Sequence, residues 1–489
     1  MSRWAGAAAA GVLFALLATA NSGGYRYGAS DQAFYGPAVA LRMDPALFPR
    51  DRVLFAPQMR AWLADDLFAG LARATGAQLP AIFFMTYVVT LLLFAAAAAW
   101  FARGLGGSAW MAGAALLLLT FRHQITRTGA NSLEGYMHPR VLAFALGVGA
   151  LGGAVRRRFG LAALAIVAAA VFHPTTALWF SIVVGVAFVV ALFDRLRATA
   201  GPASMAAAGL SLLTAPVLDL GQMDSAWLAV LAEKSYLFPS GWPLSVWAVN
   251  LAYPVALILI YRQRVARGAT VPGERGLVAG LLALVALFLI SVPFSAARVA
   301  LAVQLQIGRV FWLLDFAVAV YVAWWLMSGR AMQTPGRRAA LLAVLGLLSI
   351  ARGTYVLAVE TNRPLAQVSL PATPWTEAMT WIASRSADVH VLADPAHAWK
   401  YGAGVRQAAA RDTFLESVKD SAMAMYDRDV AMRVAERSAA LSRFDEMTTE
   451  DVRALDSRYG FDLFVVEDDR SFALPVLYRN ARFVIYDLR

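Results

Sequence analysis

Apolar residues run along this chain in blocks of about twenty that carry almost no charge, divided by short polar joints. A block of that length crosses a hydrocarbon layer of about 30 Å as a helix, which satisfies its own backbone hydrogen bonds where no water can. Eleven such segments are predicted, near residues 4–20, 80–101, 108–121, 139–154, 160–172, 175–193, 202–218, 243–261, 276–294, 310–327 and 339–358. The third, fourth and fifth are short for full crossings and are expected to be tilted, paired or partly re-entrant. The predicted fold class is an α-helical polytopic membrane protein, with its membrane domain over residues 1–358.

Two stretches break the pattern. Residues 21–79 carry turn signals (Ser22-Gly23-Gly24, Asp44-Pro45, Phe48-Pro49) around apolar residues at helical spacing, notably 59–72. These are expected to lie on the membrane surface or against the bundle. Near Glu360 the charge density rises, and helical and strand patterns mix. Helices are predicted at 373–384 and 421–440, and strands at 389–393, 461–466 and 482–487, making a small C-terminal α/β domain over 359–489.

Charge then orients the segments. The chain is 60% hydrophobic and 15% charged, against about 25% charged in a soluble domain. Its net charge of +11 comes mostly from arginine at segment ends, so nucleic acid is not an expected partner. With Arg3 inside, the loops carrying Arg103, Arg156-Arg157-Arg158, Arg195 and Arg197, Arg262 to Arg275, and Arg330 to Arg338 all become cytoplasmic. Asp194 and Glu274 are their only acids. The positive-inside rule then predicts a cytoplasmic N-terminus and an extracytoplasmic C-terminal domain and 21–79 loop. Ala18-Thr19-Ala20 resembles a cleavage site, but the many later spans favour a retained first helix. The chain has no cysteine, which removes disulfides, zinc thiolates and a cysteine nucleophile.

Candidate chemistry gathers at the arginine-poor ends. Asp31 follows Tyr25-Arg26-Tyr27-Gly28-Ala29-Ser30 and precedes Gln32, about ten residues beyond the first segment. It is placed to act as general base or to hold a divalent ion, or simply to cap the helix beginning at Gln32. Glu134 and His138 stand four apart, so one helical turn puts them on one face. His138-Pro139 and His173-Pro174 both set an imidazole at a helix mouth, and the chain holds only five histidines. With His123 these form a candidate metal or proton-transfer site, or else cap helix ends. Lys234, Arg298 and Arg309 run against the topogenic bias and are candidate phosphate ligands, the alternative being snorkelling to headgroups. Asp315 is expected to pair with an arginine inside the bundle.

On these residues the chain resembles the polytopic GT-C glycosyltransferase superfamily, and within it a poorly characterised bacterial branch. The elements are Gly28-Ala29-Ser30-Asp31-Gln32 and Asp44-Pro45-Ala46-Leu47-Phe48-Pro49-Arg50-Asp51 in a large first outer loop, His138-Pro139-Arg140, and His173-Pro174. A C-terminal region with Pro374-Trp375-Thr376-Glu377, Trp381-Ile382 and Leu477-Tyr478-Arg479-Asn480 completes them. The resemblance implies transfer of a sugar from a polyprenyl-phosphate-linked donor to an envelope acceptor on the outer face of a bacterial inner membrane. Lipid-linked donor and membrane lipids are the implied partners, and a divalent metal ion is the candidate cofactor. Asp31 takes the role of base or metal contact. Many members carry two acids there; Gln32 stands in the second place, and Glu134 is the substitute candidate. The implied catalytic set is Asp31, Glu134 and His138. The substrate and phosphate set is Tyr27, Gln32, His173, Lys234, Arg298 and Arg309. The competing readings are a non-catalytic relative, a transporter or flippase for envelope lipid or polysaccharide, and a sensor binding through its C-terminal domain. Polar groups at the outer ends and the absence of repeated halves favour an enzyme. Asp31, Glu134, His138 and His173 are then expected to share one outward cavity, within about 10–12 Å.

Overall fold

The computed structural model describes residues 3–199 and 221–489. Apolar helices dominate it: α1 (Arg3–Asn21), then α2 (Gln32–Met43), α3 (Arg52–Ala61) and α4 (Ala64–Thr75) in the first long loop, then α5 (Leu79–Gly104), α6 (Ala109–Leu119), α7 (Pro139–Val155), α8 (Phe159–Phe172) and α9 (Pro174–Thr199). They continue with α10 (Leu244–Ala266), α11 (Glu274–Ala296), α12 (Val310–Ser328) and α13 (Pro335–Tyr355). Among the described residues six helices are long and apolar enough to cross a membrane, and α1, α6, α7 and α8 are shorter apolar ones. The segment predicted at 202–218 lies outside the described residues. The shortness expected of the third and fifth segments is real. With 11 and 14 residues, α6 and α8 reach about 16 and 21 Å at 1.5 Å per residue. Ser108 starts α6 by accepting the Met111 N–H, and α8 ends at His173 before Pro174.

Close helix approach comes from small residues. On α11, a Cβ at Gly276 would lie 2.9 Å from the Ala187 backbone of α9, and one at Gly280 would lie 2.5 Å from the Val183 carbonyl. Phe144 of α7 fills the bundle centre, stacked 3.9 Å from Trp312 and edge-on to Phe180.

The arginine-rich joints meet at one end. Arg156 donates to the Trp100 carbonyl (2.7 Å), Arg157 and Arg275 share Asp194 (both 3.3 Å), and fully buried Arg264 donates to Glu274 (2.9 Å) and the Leu105 carbonyl (2.7 Å). At the opposite end Asn21 meets Ser349, Arg352 reaches the Arg122 carbonyl (2.8 Å), and Asn250 reaches the Thr126 carbonyl (3.0 Å). The joints grouped by charge in the sequence are therefore neighbours in space.

Beyond α13 come α14 (Pro374–Ala383), α15 (Ser417–Met423), α16 (Arg428–Ala440) and α17 (Thr449–Tyr459), with a five-stranded mixed sheet. Its strands are β1 (His390–Ala393), β2 (Asp412–Thr413), β3 (Leu463–Glu467), β4 (Val476–Arg479) and β5 (Phe483–Asp487), in the order β2-β1-β3-β5-β4. The first two pairings are parallel and the last two antiparallel. The helix predicted at 421–440 is two helices. Asp427 breaks it by accepting the Asp429 and Val430 N–H groups and starting α16 anew.

The loop between α2 and α3 is also more than a membrane-surface segment. Its Asp51, fully buried, meets Arg406 (2.6 Å) and Arg433, and accepts from the Thr413 backbone (3.2 Å) at the sheet edge. Arg406 in turn grips Asp420 of α15 (2.5 and 3.0 Å). Removing one member of a buried ion network leaves uncompensated charge, at a cost of about 3–5 kcal/mol. Arg406→Met is therefore expected to lower the melting temperature of the purified protein by many degrees, whereas exposed Arg443→Met leaves it nearly unchanged. Equal melting curves for the two variants would show that the network does not hold this junction.

Candidate functional site

Asp31 is the last residue before α2, yet its side chain makes no capping bond. The capping alternative fails because two other groups take the carboxylate. His138 Nε2 lies 3.2 Å from Oδ2, and Lys419 Nζ of α15 lies 3.5 Å from Oδ1. The preceding Ser30 is held at φ 51°, a left-handed conformation that a non-glycine residue seldom adopts, next to the acid.

His138 does cap, and more. Its Nδ1 accepts the Arg140 N–H (3.1 Å) at the mouth of α7, which leaves the proton on Nε2, directed at Asp31. Burial, followed by the Arg140 charge, pushes the imidazole down to about 4 against the pull of Asp31. Burial opposes ionisation of Asp31. The His138 hydrogen bond and the Lys419 and Arg140 charges outweigh it and hold the carboxyl well below the usual carboxylate range. Near neutral pH the pair is a carboxylate accepting from a neutral imidazole. His173 repeats the device: Nδ1 accepts the Thr176 N–H (3.2 Å), burial drives its basicity well down, and its ring stands 6.4 Å from that of His138.

Glu134 reaches the same place by another route than a helical turn, since residues 132–138 are irregular. One carboxylate oxygen accepts from Arg140 (3.0 Å) and the other from Asn131 (3.0 Å), with Glu134 and Arg140 both buried. The irregular stretch is pressed against the first loop at Gly135, where a Cβ would lie 2.6 Å from the Gly24 carbonyl.

These groups line one cavity of about 210 Å³: Asp31, Glu134, His138, His173, Arg140 and Arg309, with Tyr35, Tyr136, Tyr236 and Trp62 between them. Ala422, Met423, Met425 and Tyr426, at and beyond the end of α15, also line it. Arg309 makes no ion pair among the described residues, and its buried Nε has no hydrogen-bond partner. A guanidinium fork left without a direct ion pair is suited in shape and charge to an anion's oxygens.

The other candidates fall elsewhere. Gln32 is fully buried and fully used, accepting the Gly28 N–H (2.7 Å) and donating to the Met137 carbonyl (2.9 Å), so it clamps the loop and does not face the cavity. Tyr27 packs on Phe83 outside the lining. Lys234 lines a neighbouring recess with Val418 and Ser421. Arg298 is exposed, at φ 63°, and lines neither. His123 leaves the histidine group altogether: Nε2 meets Asp315 (3.0 Å) and Nδ1 meets the Phe121 carbonyl (2.9 Å), so the Asp315 bond raises its basicity. Asp315 thus pairs with histidine and not arginine. Sequence reasoning quotes Arg140 beside His138 but gives it no role, and it misses Lys419. The first was open to the test already applied to Arg309, an arginine against the topogenic bias. The second carries no local signal.

The residues do not fit a divalent ion. Both Asp31 oxygens face a donor or a cation, both Glu134 oxygens are taken, and among the described residues no three His, Asp or Glu side chains are grouped to hold a metal.

The depressed basicity of His138 has a sign that can be measured. Above pH 6.5 it is neutral folded and unfolded; below that the unfolded chain takes the proton first, so stability falls from about pH 6.5 to about pH 4. The loss is of order 3 kcal/mol for this nearly inaccessible group. His138→Gln keeps a donor towards Asp31 but cannot titrate, so its melting temperature is expected to fall less between pH 7 and pH 4.5 than that of the parent protein. An identical fall would remove His138 as a source of the pH dependence.

No protein-family model matches the chain, and no curated protein does. Among solved structures it is similar to the Archaeoglobus fulgidus oligosaccharyltransferase tethered with an acceptor peptide containing the NVT sequon, with TM-score 0.43 and 10% identity over 96% of this chain and 69% of that one. The apo form of that enzyme gives 0.42 and 10% over 94% and 69%, and its complex with Zn and sulfate 0.42 and 13% over 94% and 68%. Superpositions at that level leave the chemistry to this chain's own side chains.

Proposed function

We propose that the protein is a membrane glycosyltransferase of the GT-C type, moving a sugar from a polyprenyl-phosphate-linked donor to an envelope acceptor at the outer face of a bacterial inner membrane. One observation carries this: Asp31, hydrogen-bonded to His138, and Arg309, which forms no direct ion pair among the described residues, line the same cavity at the end of the helices opposite the arginine-rich joints. A transferase needs that pairing, an acceptor for the hydroxyl proton on one side and a cation for the departing phosphate on the other.

In the step, the acceptor hydroxyl donates a hydrogen bond to Asp31. Its oxygen forms the new bond to the anomeric carbon while the bond from that carbon to the phosphate oxygen breaks. The proton passes to Asp31, and the electron pair leaves with the phosphate, whose charge meets Arg309 and Arg140. His138 is a positioning residue that holds Asp31 through Nε2–H, and Lys419 keeps the carboxyl ionised. No metal enters this scheme. The orientation follows the positive-inside rule: the N-terminus lies in the cytoplasm and the sheet-bearing C-terminal region outside.

Asp31→Asn in vesicles supplied with polyprenyl-phosphate sugars is expected to lower kcat by about 100-fold or more, with donor binding retained. Transfer at the parental rate would remove Asp31 from the chemistry, and a parent protein inactive with every donor would remove the transferase itself. A reporter fused after Arg489 is expected to be active only outside the cytoplasm.

A further inference from the structure

A second recess, of about 640 Å³, adjoins the cavity and shares Ser30, Asn131, Glu134 and Tyr136 with it. Three guanidinium groups line it, brought from three separate places. Arg26 lies in a short ladder pairing Tyr25–Arg26 with Ala366–Gln367, Arg122 lies just past α6, and Arg363 lies past α13. Lys419 also lines it, next to Asp31, and Trp399 adds an indole that is 83% exposed.

The acids on the same walls are already engaged, Glu134 with Arg140 and Glu416 with Arg406. Arg122 gives its Nε to the Leu133 carbonyl (3.3 Å), and neither Arg26 nor Arg363 has a side-chain partner among the described residues. Burial, and then the Arg363 and Arg122 charges, lower the basicity of Arg26. Like charges gathered where the nearby acids are already paired with other arginines repel one another unless an anion joins them, and guanidinium forks match the oxygens of phosphate and carboxylate. The recess also has a side that is not membrane: Pro395, Trp399 and Ser417 come from the C-terminal region, whereas Arg140 and Arg309, at the mouths of α7 and α12, are the groups assigned to the lipid phosphate in the proposed transfer.

We infer that the recess binds an acidic acceptor, a sugar whose phosphate or carboxylate is held by Arg26, Arg122 and Arg363 and whose ring packs on Trp399, so that its hydroxyl is presented to Asp31. This rests on the transferase reading for the word acceptor, and its test is made on binding alone. The full chain in nanodiscs of neutral phosphatidylcholine, at about 50 mM salt so that screening is weak, is titrated with glucose 6-phosphate, glucose and inorganic phosphate. Glucose 6-phosphate is expected to bind and glucose not. Arg363→Gln, at an exposed side chain with no partner to lose, weakens it roughly tenfold, or about 1.4 kcal/mol. Arg26→Gln does the same. Trp399→Ala weakens glucose 6-phosphate but not inorganic phosphate.

A parent protein that does not bind glucose 6-phosphate, or an Arg363→Gln variant that binds it as well as the parent, overturns the inference. So does an Arg363→Gln variant that loses polyprenyl phosphate added to the disc instead, since the recess then holds the donor headgroup. Binding that behaves as expected in a protein that transfers nothing would sink the transferase and leave the anion site. Transfer to acidic sugars with KM unchanged by Arg363→Gln would do the reverse.

Discussion

The salt link from Asp51 through Arg406 to Asp420 is the constraint on which the rest of this architecture depends. It joins three parts of the chain that no regular element connects: the loop between α2 and α3, the sheet edge at β2, and α15. Charges this deeply buried are tolerable only when each finds its partner, so the link works as a keyed joint with one permitted register. α15 carries Lys419, and Ala422, Met423, Met425 and Tyr426 line the cavity. A joint that fixes Asp420 therefore also fixes the position of Lys419 relative to Asp31 and completes the wall of a cavity that the membrane helices leave unfinished.

Within that enclosure the electrostatics are divided by task. His138 is spent as a neutral donor because its other nitrogen is committed to the Arg140 backbone. Arg140 is balanced by Glu134, so both stabilise the local fold before any ligand arrives. Arg309 is left over, and so are Arg26 and Arg363 of the adjoining recess. An ordinary structural arginine at a membrane boundary snorkels or pairs. One that does neither, and lines a cavity, is what the proposed departure of a phosphate calls for.

Much of this was written in the sequence, and unevenly. The apolar blocks gave the helices and the arginines grouped their joints, because both signals are local and repeated many times. Asp31, Glu134, His138 and His173 were legible as scarce ionisable groups at helix mouths, and they line one cavity. What failed was anything set by distant partners. Asp51 reads as a turn residue until its arginines arrive from residues 406 and 433. Gln32 reads as a ligand beside an acid, yet its amide is consumed by Gly28 and Met137. His123 looks like a fourth member of the histidine group, but its partner is Asp315 on α12, nearly two hundred positions away in the chain. Local pattern states which groups are unusual; only the fold states which of them are satisfied.

In the proposed transfer, a carboxyl held far below its ordinary range is a weak base, and at first sight a poor one to take a proton from a hydroxyl. The difficulty dissolves when proton transfer is late. As the acceptor oxygen bonds to the anomeric carbon it becomes positively charged, and its proton becomes more acidic than any carboxylic acid. A weak base then suffices, and a strongly basic carboxylate would bring a different penalty, since it would be protonated and lose its attraction for the hydroxyl. Keeping Asp31 ionised through His138 and Lys419 thus favours orientation over basicity. In that scheme the same charges that depress it would also make the product carboxylic acid give its proton up again, returning the site to its starting state without a separate base.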